Sequence, residues 1–108
     1  MSGSGNDVGG YVGPTSGGDA CEKLHLTRFL EGPVPGVIDS LTVGDTLSIV
    51  LRGETPPLVV AITSDGAEAG GILPTGQLIE CLQRGVEYVA QVVRINDAAV
   101  ELDVRAAQ

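Results

Sequence analysis

Two stretches near the end of the chain alternate apolar and polar residues with a period of two. In VEYVAQVVRI, Val86, Tyr88, Ala90 and Val92 share one side, and Glu87 and Gln91 take the other. In AVELDVRA, Val100, Leu102 and Val104 oppose Glu101, Asp103 and Arg105. Neighbouring side chains of a strand point to opposite faces, so this pattern predicts two half-buried strands joined by a turn at Asn96 and Asp97. TLSIVLR repeats it, with Leu47, Ile49 and Leu51 against Thr46, Ser48 and Arg52. LVVAIT is an unbroken apolar run, short enough for a strand buried on both faces. Asp65-Gly66 is a tight-turn pair. It leads into AEAGGIL, a short strand in which Gly70 and Gly71 mark a bulge or a close backbone approach. CEKLHLTRFL reads as the first strand. Leu24, Leu26 and Leu30 share one face, interrupted by Arg28, and His25, Thr27 and Phe29 share the other. EGPVPGV, with two prolines and two glycines, reads as a turn or an irregular edge.

One segment changes period. In TGQLIECLQR, Leu78, Ile79, Cys81 and Leu82 fall on one helical face. Thr75 is placed to cap the N-terminus, Gly85 to end the helix in a left-handed conformation, and Glu80 and Arg84 to pair across one turn. The order is therefore four strands, one short helix and a hairpin. Strands do not alternate with helices, which excludes a doubly wound parallel sheet. The expected architecture is mainly β: a small five- to six-stranded barrel with one short helix before the last hairpin, because closure removes exposed strand edges. Leu47, Ile49, Ile62, Leu82, Tyr88, Val92, Leu102 and Val104 are the expected core. Residues 1–20 are rich in Gly and Ser, and Tyr11 is their only large side chain. They carry too little apolar area to offset their ordering entropy. They are expected to form a flexible tail, with residues 21–108 as a single barrel domain.

Composition narrows the function. Fourteen acidic residues against six basic ones give a formal charge of −8. Lys23, Arg28, Arg52, Arg84, Arg94 and Arg105 are scattered among acids and form no basic stripe. Nucleic acids and anionic membranes are therefore not the expected partners. No segment reaches the ~18–20 apolar residues of a membrane span. MSGSGNDVGG has neither the basic nor the apolar region of a secretory signal, so the expected location is cytoplasmic. In that compartment Cys21 and Cys81 are expected to be free, buried thiols, with a disulfide as the alternative.

The sequence offers little for catalysis. His25 is the sole histidine, and on a strand it would stand more than ~10 Å from Cys21. GPTSGGDA lacks the lysine and the strand–helix setting of a phosphate loop. The carboxylates are dispersed, without the spacing of a calcium loop. No cofactor or metal is expected, and the chain reads as a non-enzyme. The candidate binding residues are Tyr11, in a tail that orders on a partner, and Glu87, Glu101 and Asp103, on an acidic outer face of the closing hairpin.

From residue 37 to 104 the run LTVGDTLSIVL, VVAITSDGAEAGGIL and LIECLQRGVEYVAQVVRI resembles the HIRAN-type β-barrel domain. That family has a GD-containing strand, a glycine-rich hairpin, a short helix ending in Gly and a following A-x-V strand. The resemblance implies a small barrel and, since HIRAN domains of DNA-repair and helicase proteins bind DNA ends, a nucleic-acid surface. Here GETPPLVV stands where that family has an Asn/Asp-rich stretch. Three functions follow as expectations. The first is a binding module or accessory subunit that engages a protein partner or a second copy. The second is a nucleic-acid end binder, which requires Arg28, Arg52 and Arg94 to cluster beside Phe29. The third is a small-molecule sensor, which requires a concave pocket with convergent polar groups.

Overall fold

The computed structural model describes residues 16–53 and 55–107. Helix α1 (Ser16–Lys23) precedes strand β1 (His25–Phe29). A single helical turn, α2 (Pro35–Ile38), leads to β2 (Thr46–Arg52), β3 (Leu58–Ile62) and β4 (Glu68–Ile72). Helix α3 (Gly76–Gln83) then precedes the hairpin β5 (Tyr88–Asn96) and β6 (Ala99–Ala106). The six strands form one antiparallel sheet in the order β1-β6-β5-β2-β3-β4.

The sheet curls into a half-barrel, and its two edges meet. Just past β1, Glu31 and Gly71 exchange both backbone hydrogen bonds, at 2.8 and 2.7 Å. Val34 N–H donates to the Ala69 carbonyl at 2.9 Å. This join requires Gly70: a Cβ there would stand 3.0 Å from the Glu31 carbonyl oxygen and 3.3 Å from Pro33 Cα. The close approach expected at this glycine pair is therefore real. The bulge lies beside it, where Ala69 is the additional residue between the Ala61–Gly70 and Ile62–Glu68 pairs.

The concave face is filled by alternate residues. Leu47, Ile49, Val59, Ala61, Ile72, Tyr88, Ala90, Val92, Val100, Leu102 and Val104 are all buried. Six of the eight expected core residues are among them. Ile62 and Leu82 are half-buried: Ile62 ends its strand beside the Thr63–Ala67 turn, and Leu82 faces a groove at the end of α3. Helix α3 closes one side of the core through Leu78 and Cys81. Its ends follow local chemistry. The Thr75 hydroxyl accepts from Leu78 N–H at 3.1 Å. At the other end Val86 N–H donates to the Cys81 carbonyl and Gly85 N–H to that of Leu82, with Gly85 at φ +93°.

The N-terminal part departs from expectation. Cys21 to Leu24 do not begin the first strand: α1 runs through Lys23, and the boundary expected at residue 20 falls inside this helix. The single expected helix is thus accompanied by α1 and by the turn α2 where an irregular edge was expected. Tyr11 lies outside the described residues. Cys21 and Cys81 are not free thiols. They form a disulfide with Cα atoms 5.7 Å apart, joining α1 to α3. Few of the described side chains of α1 add to this attachment. Gly17 and Gly18 each cost about 1 kcal/mol relative to Ala in a helix interior, and of Ala20 to Lys23 only Cys21 is buried.

Candidate functional site

The outer surface is built by the same registers as the core. β3 pairs Val59 with Ile72, which brings the next residues, Leu58 and Leu73, side by side. The Glu31–Gly71 bridge runs the chain past β4 antiparallel to it, so Phe29 lies level with Leu73. The Arg28 side chain crosses this gap, and its Nε–H donates to the Leu73 carbonyl at 2.7 Å. Each of the three stands next to a buried residue, Leu30, Val59 or Ile72, and its own side chain is turned outward. Leu58 is 58% exposed, Leu73 64% and Phe29 52%. Beside them lies a groove of about 480 Å³, lined by Pro57, Leu58, Leu73 and Pro74 and edged by Glu31 and Glu68. The sequence carried one signal for it: each leucine stands next to a proline at a strand end, where alternation no longer assigns a face.

The candidate acids of the closing hairpin occupy the neighbouring part of this surface. Glu101 and Asp103 stand two residues apart on the outer face of β6, beside Phe29 and Thr27 of β1. Neither is a free charge. Arg94 Nε lies 3.3 Å from the Glu101 carboxylate. Asp103 hydrogen-bonds His25 Nε2 and has Arg105 Nη1 at 3.9 Å. Arg94 reaches this face because of a bulge. β5 pairs Val92 with Leu102 and Arg94 with Glu101, which leaves Val93 over. The extra residue turns Arg94 from the inward set to the outward one. Glu87 lies apart, four residues before Gln91, the residue that faces Asp103. Its own carbonyl accepts from Ala107 N–H at 2.9 Å.

The three arginines named for nucleic acid do not gather. β2 and β5 pair Thr46 with Gln91. This register puts Arg52 and Arg94 at opposite ends, about nine residue steps or ~30 Å apart. Arg52 pairs with Glu68 at 3.0 Å, and Arg28 is held by the Leu73 and Thr27 carbonyls.

Two other depressions carry polar groups. One, of about 510 Å³, is lined by Asp45, Thr46, Thr63 and Asp65. The Thr63 hydroxyl donates to the Asp65 carboxylate and holds its pKa below the ordinary value. The Asp45 carboxylate accepts from Thr42 N–H at 2.9 Å. The second, about 500 Å³, opens where β2 and β5 diverge beyond the Ile49–Tyr88 pair, and is lined by Val50, Leu51, Leu82, Val86 and Glu87. Among the described residues no three His, Cys, Asp or Glu side chains are placed to share a metal ion. No described helix is long and apolar enough to cross a membrane.

One buried polar contact links the cap to the core. The Tyr88 hydroxyl, from β5, donates to the Cys21 carbonyl in α1. Tyr88 is 2% exposed, and burial pushes its phenol above the usual value. With both cysteines in the disulfide, neither sulfur can serve as a thiolate nucleophile or a metal ligand.

No protein-family model, curated protein or solved structure matches this chain.

Proposed function

We propose that this chain is a non-catalytic binding module that engages a protein partner through the outward row Leu58, Leu73 and Phe29. One observation carries the reading. These three large apolar side chains stay more than half exposed on neighbouring strand ends, although β3 and β4 bury Val59, Ala61 and Ile72 almost completely. Scattered exposed apolar residues are ordinary, whereas contiguous ones beside a groove are the usual form of a contact surface. The rim defines the partner's chemistry. Glu31 edges the groove without an ion-pair partner among the described residues, Glu68 and Glu101 nearby are paired with Arg52 and Arg94, and the chain carries −8 overall. A partner that sets an apolar side chain against Leu73 and basic residues around it would be steered and oriented by these charges.

The test is a Phe29→Ser/Leu73→Ser double variant. Both side chains are exposed, so its melting temperature is expected to stay within a few degrees of the parent. Parent and variant are immobilised, used to capture proteins from a native extract, and compared by quantitative mass spectrometry. Each purified candidate is then titrated against both chains. The reading expects at least one protein that binds the parent and loses about tenfold or more in affinity for the variant, a loss of ~1.4 kcal/mol. Equal binding by the two chains would overturn it, as would a parent that binds nothing and remains monomeric in light scattering.

A further inference from the structure

We propose that the Cys21–Cys81 disulfide is a redox latch on α1: a dithiol reductant releases the N-terminal helix from the half-barrel while the sheet stays folded. Helix α1 has eight residues, two of them internal glycines. Isolated helices shorter than ~12–15 residues are marginal even with favourable sequences. Its apolar side chains are Ala20, which is exposed, and Cys21, which is buried as half of the disulfide. Among the described residues two side-chain attachments hold it where it lies against β6 and α3: the bond to Cys81 and the hydrogen bond from the Tyr88 hydroxyl to the Cys21 carbonyl.

The other end of the latch is held independently. Helix α3 has the Thr75 cap, the paired hydrogen bonds around Gly85 and a fully buried Leu78. The strands have their own ladders, interrupted only by single-residue bulges, and a core to which the described side chains of α1 add only Cys21. Breaking the bond thus removes most of what orders α1 and little of what orders the rest.

The step balances with the reductant alone. A thiolate of the dithiol attacks one cysteine sulfur, and the other cysteine leaves as a thiolate and takes a proton. The second sulfur of the dithiol then closes on the first, expelling the remaining cysteine, which is also protonated. Two electrons and two protons pass to Cys21 and Cys81, and the dithiol ends as a cyclic disulfide. Both sulfurs belong to residues only 2% exposed. Attack therefore waits on outward excursions of α1, and reduction removes the bond that reverses them. Release would also uncover the Tyr88 hydroxyl and the face of α3 that carries Cys81.

The experiment is hydrogen exchange by mass spectrometry on the full chain in three forms: oxidised, reduced by excess dithiothreitol, and a Cys21→Ser/Cys81→Ser variant. Relative to the oxidised form, amides of Ala20 to Lys23 are expected to exchange at least about tenfold faster in the other two. Amides of β5 and β6 are expected to change by less than about threefold. Tryptic cleavage after Lys23 should accelerate in parallel. Unchanged protection of α1 after full reduction would overturn the proposal. So would loss of α1 and sheet protection together, since the bond would then hold the whole fold. A disulfide that resists excess dithiothreitol while the chain is native would overturn it too. If the serine variant does not fold, the reduced natural chain carries the comparison alone.

Discussion

The closing hairpin and the N-terminal helix are both packed against the half-barrel, but by opposite means. β6 buries every second residue: Val100 and Leu102 are 0% exposed and Val104 1%. Its stability is spread over several side chains, each worth roughly 1.5–3 kcal/mol of apolar burial, and over hydrogen bonds to strands on both sides. Among the described residues, the side-chain attachments of α1 are one covalent bond and one hydroxyl. Distributed burial is lost only when the sheet unfolds as a unit, whereas a point attachment is lost when one bond breaks. The same molecule therefore combines a region that tolerates small changes in solvent with one governed by single chemical events.

The largest effect expected from this contrast lies in the hairpin core. Leu102→Ala should cost about 2–5 kcal/mol, because it opens a cavity among Val92, Val104 and their neighbours where collapse is restricted from several sides. Against a typical domain stability of about 5–15 kcal/mol, denaturant titration should show a clearly lowered midpoint. A melting temperature within a degree or two of the parent would mean that the hairpin is not the stable half.

Tyr88→Phe should cost less, about 1 kcal/mol, because the Cys21 carbonyl loses its hydroxyl donor and keeps only Leu24 N–H at 3.4 Å. It also tests a pH dependence. The folded phenol has its pKa raised by burial, while the unfolded one titrates near its ordinary value of about 10. Below that pH both states hold the proton and the folded chain keeps its full stability. Above it the unfolded chain loses the proton first, so stability falls as pH rises toward the raised folded value. Urea titrations at neutral pH and above pH 10 should show this alkaline fall in the parent and a smaller one in the Phe variant. An identical fall in both would place its origin elsewhere.

The smallest effect is expected on the outer face of the same hairpin. Glu101→Lys/Asp103→Lys places new cations beside Arg94, Arg105 and His25. The carboxylates are half-buried but their cationic partners are exposed, and such surface pairs contribute about 0–1 kcal/mol each, so the double variant should stay folded and melt within several degrees of the parent. If it also keeps its affinity for the protein partner, the acids of β6 serve the surface and not the contact. Weakened binding with lost salt dependence would add them to the apolar row.

The strands were legible because their signal is local. Val100, Leu102 and Val104 alternate with charged residues, and that pattern needs no knowledge of what lies opposite. The α3 caps were legible for the same reason, since Thr75 and Gly85 act on backbone groups within a few residues. What escaped depends on distance along the chain. SGGDACEK has no apolar stripe, so nothing local marks α1 as a helix; its anchor, Cys81, is 60 residues away. Leu24, Leu26 and Leu30 suggested a strand from Cys21 onward, and alternation alone could not reveal that pairing begins only at His25. His25 and Asp103 are 78 residues apart and meet only through the β1–β6 register. That Arg94 turns toward the acids is not legible either, because a one-residue bulge decides which way it faces and the sequence around Val93 does not announce it.

Gly70 gives the molecule an unequal tolerance to sequence drift. Gly44 and Gly66 also lie on turns, but a Cβ there would meet open space, and the difficulty is confined to their own backbone angles. At Gly70 the obstacle is the chain on the far side of the join, whose carbonyl oxygen and Cα cannot swing away as a side-chain tip can. A methyl group there would press Glu31 and Pro33 outward at the one place where the first and last strands of the sheet are stitched together. In a randomised library, turn glycines should give way to residues such as Asn that accept left-handed angles. Position 70 should come back as glycine, or together with compensating changes in the segment from residue 30 to 33. Two stretches some forty residues apart would then vary as one unit, and that covariation would be a signature by which relatives of this chain are recognised.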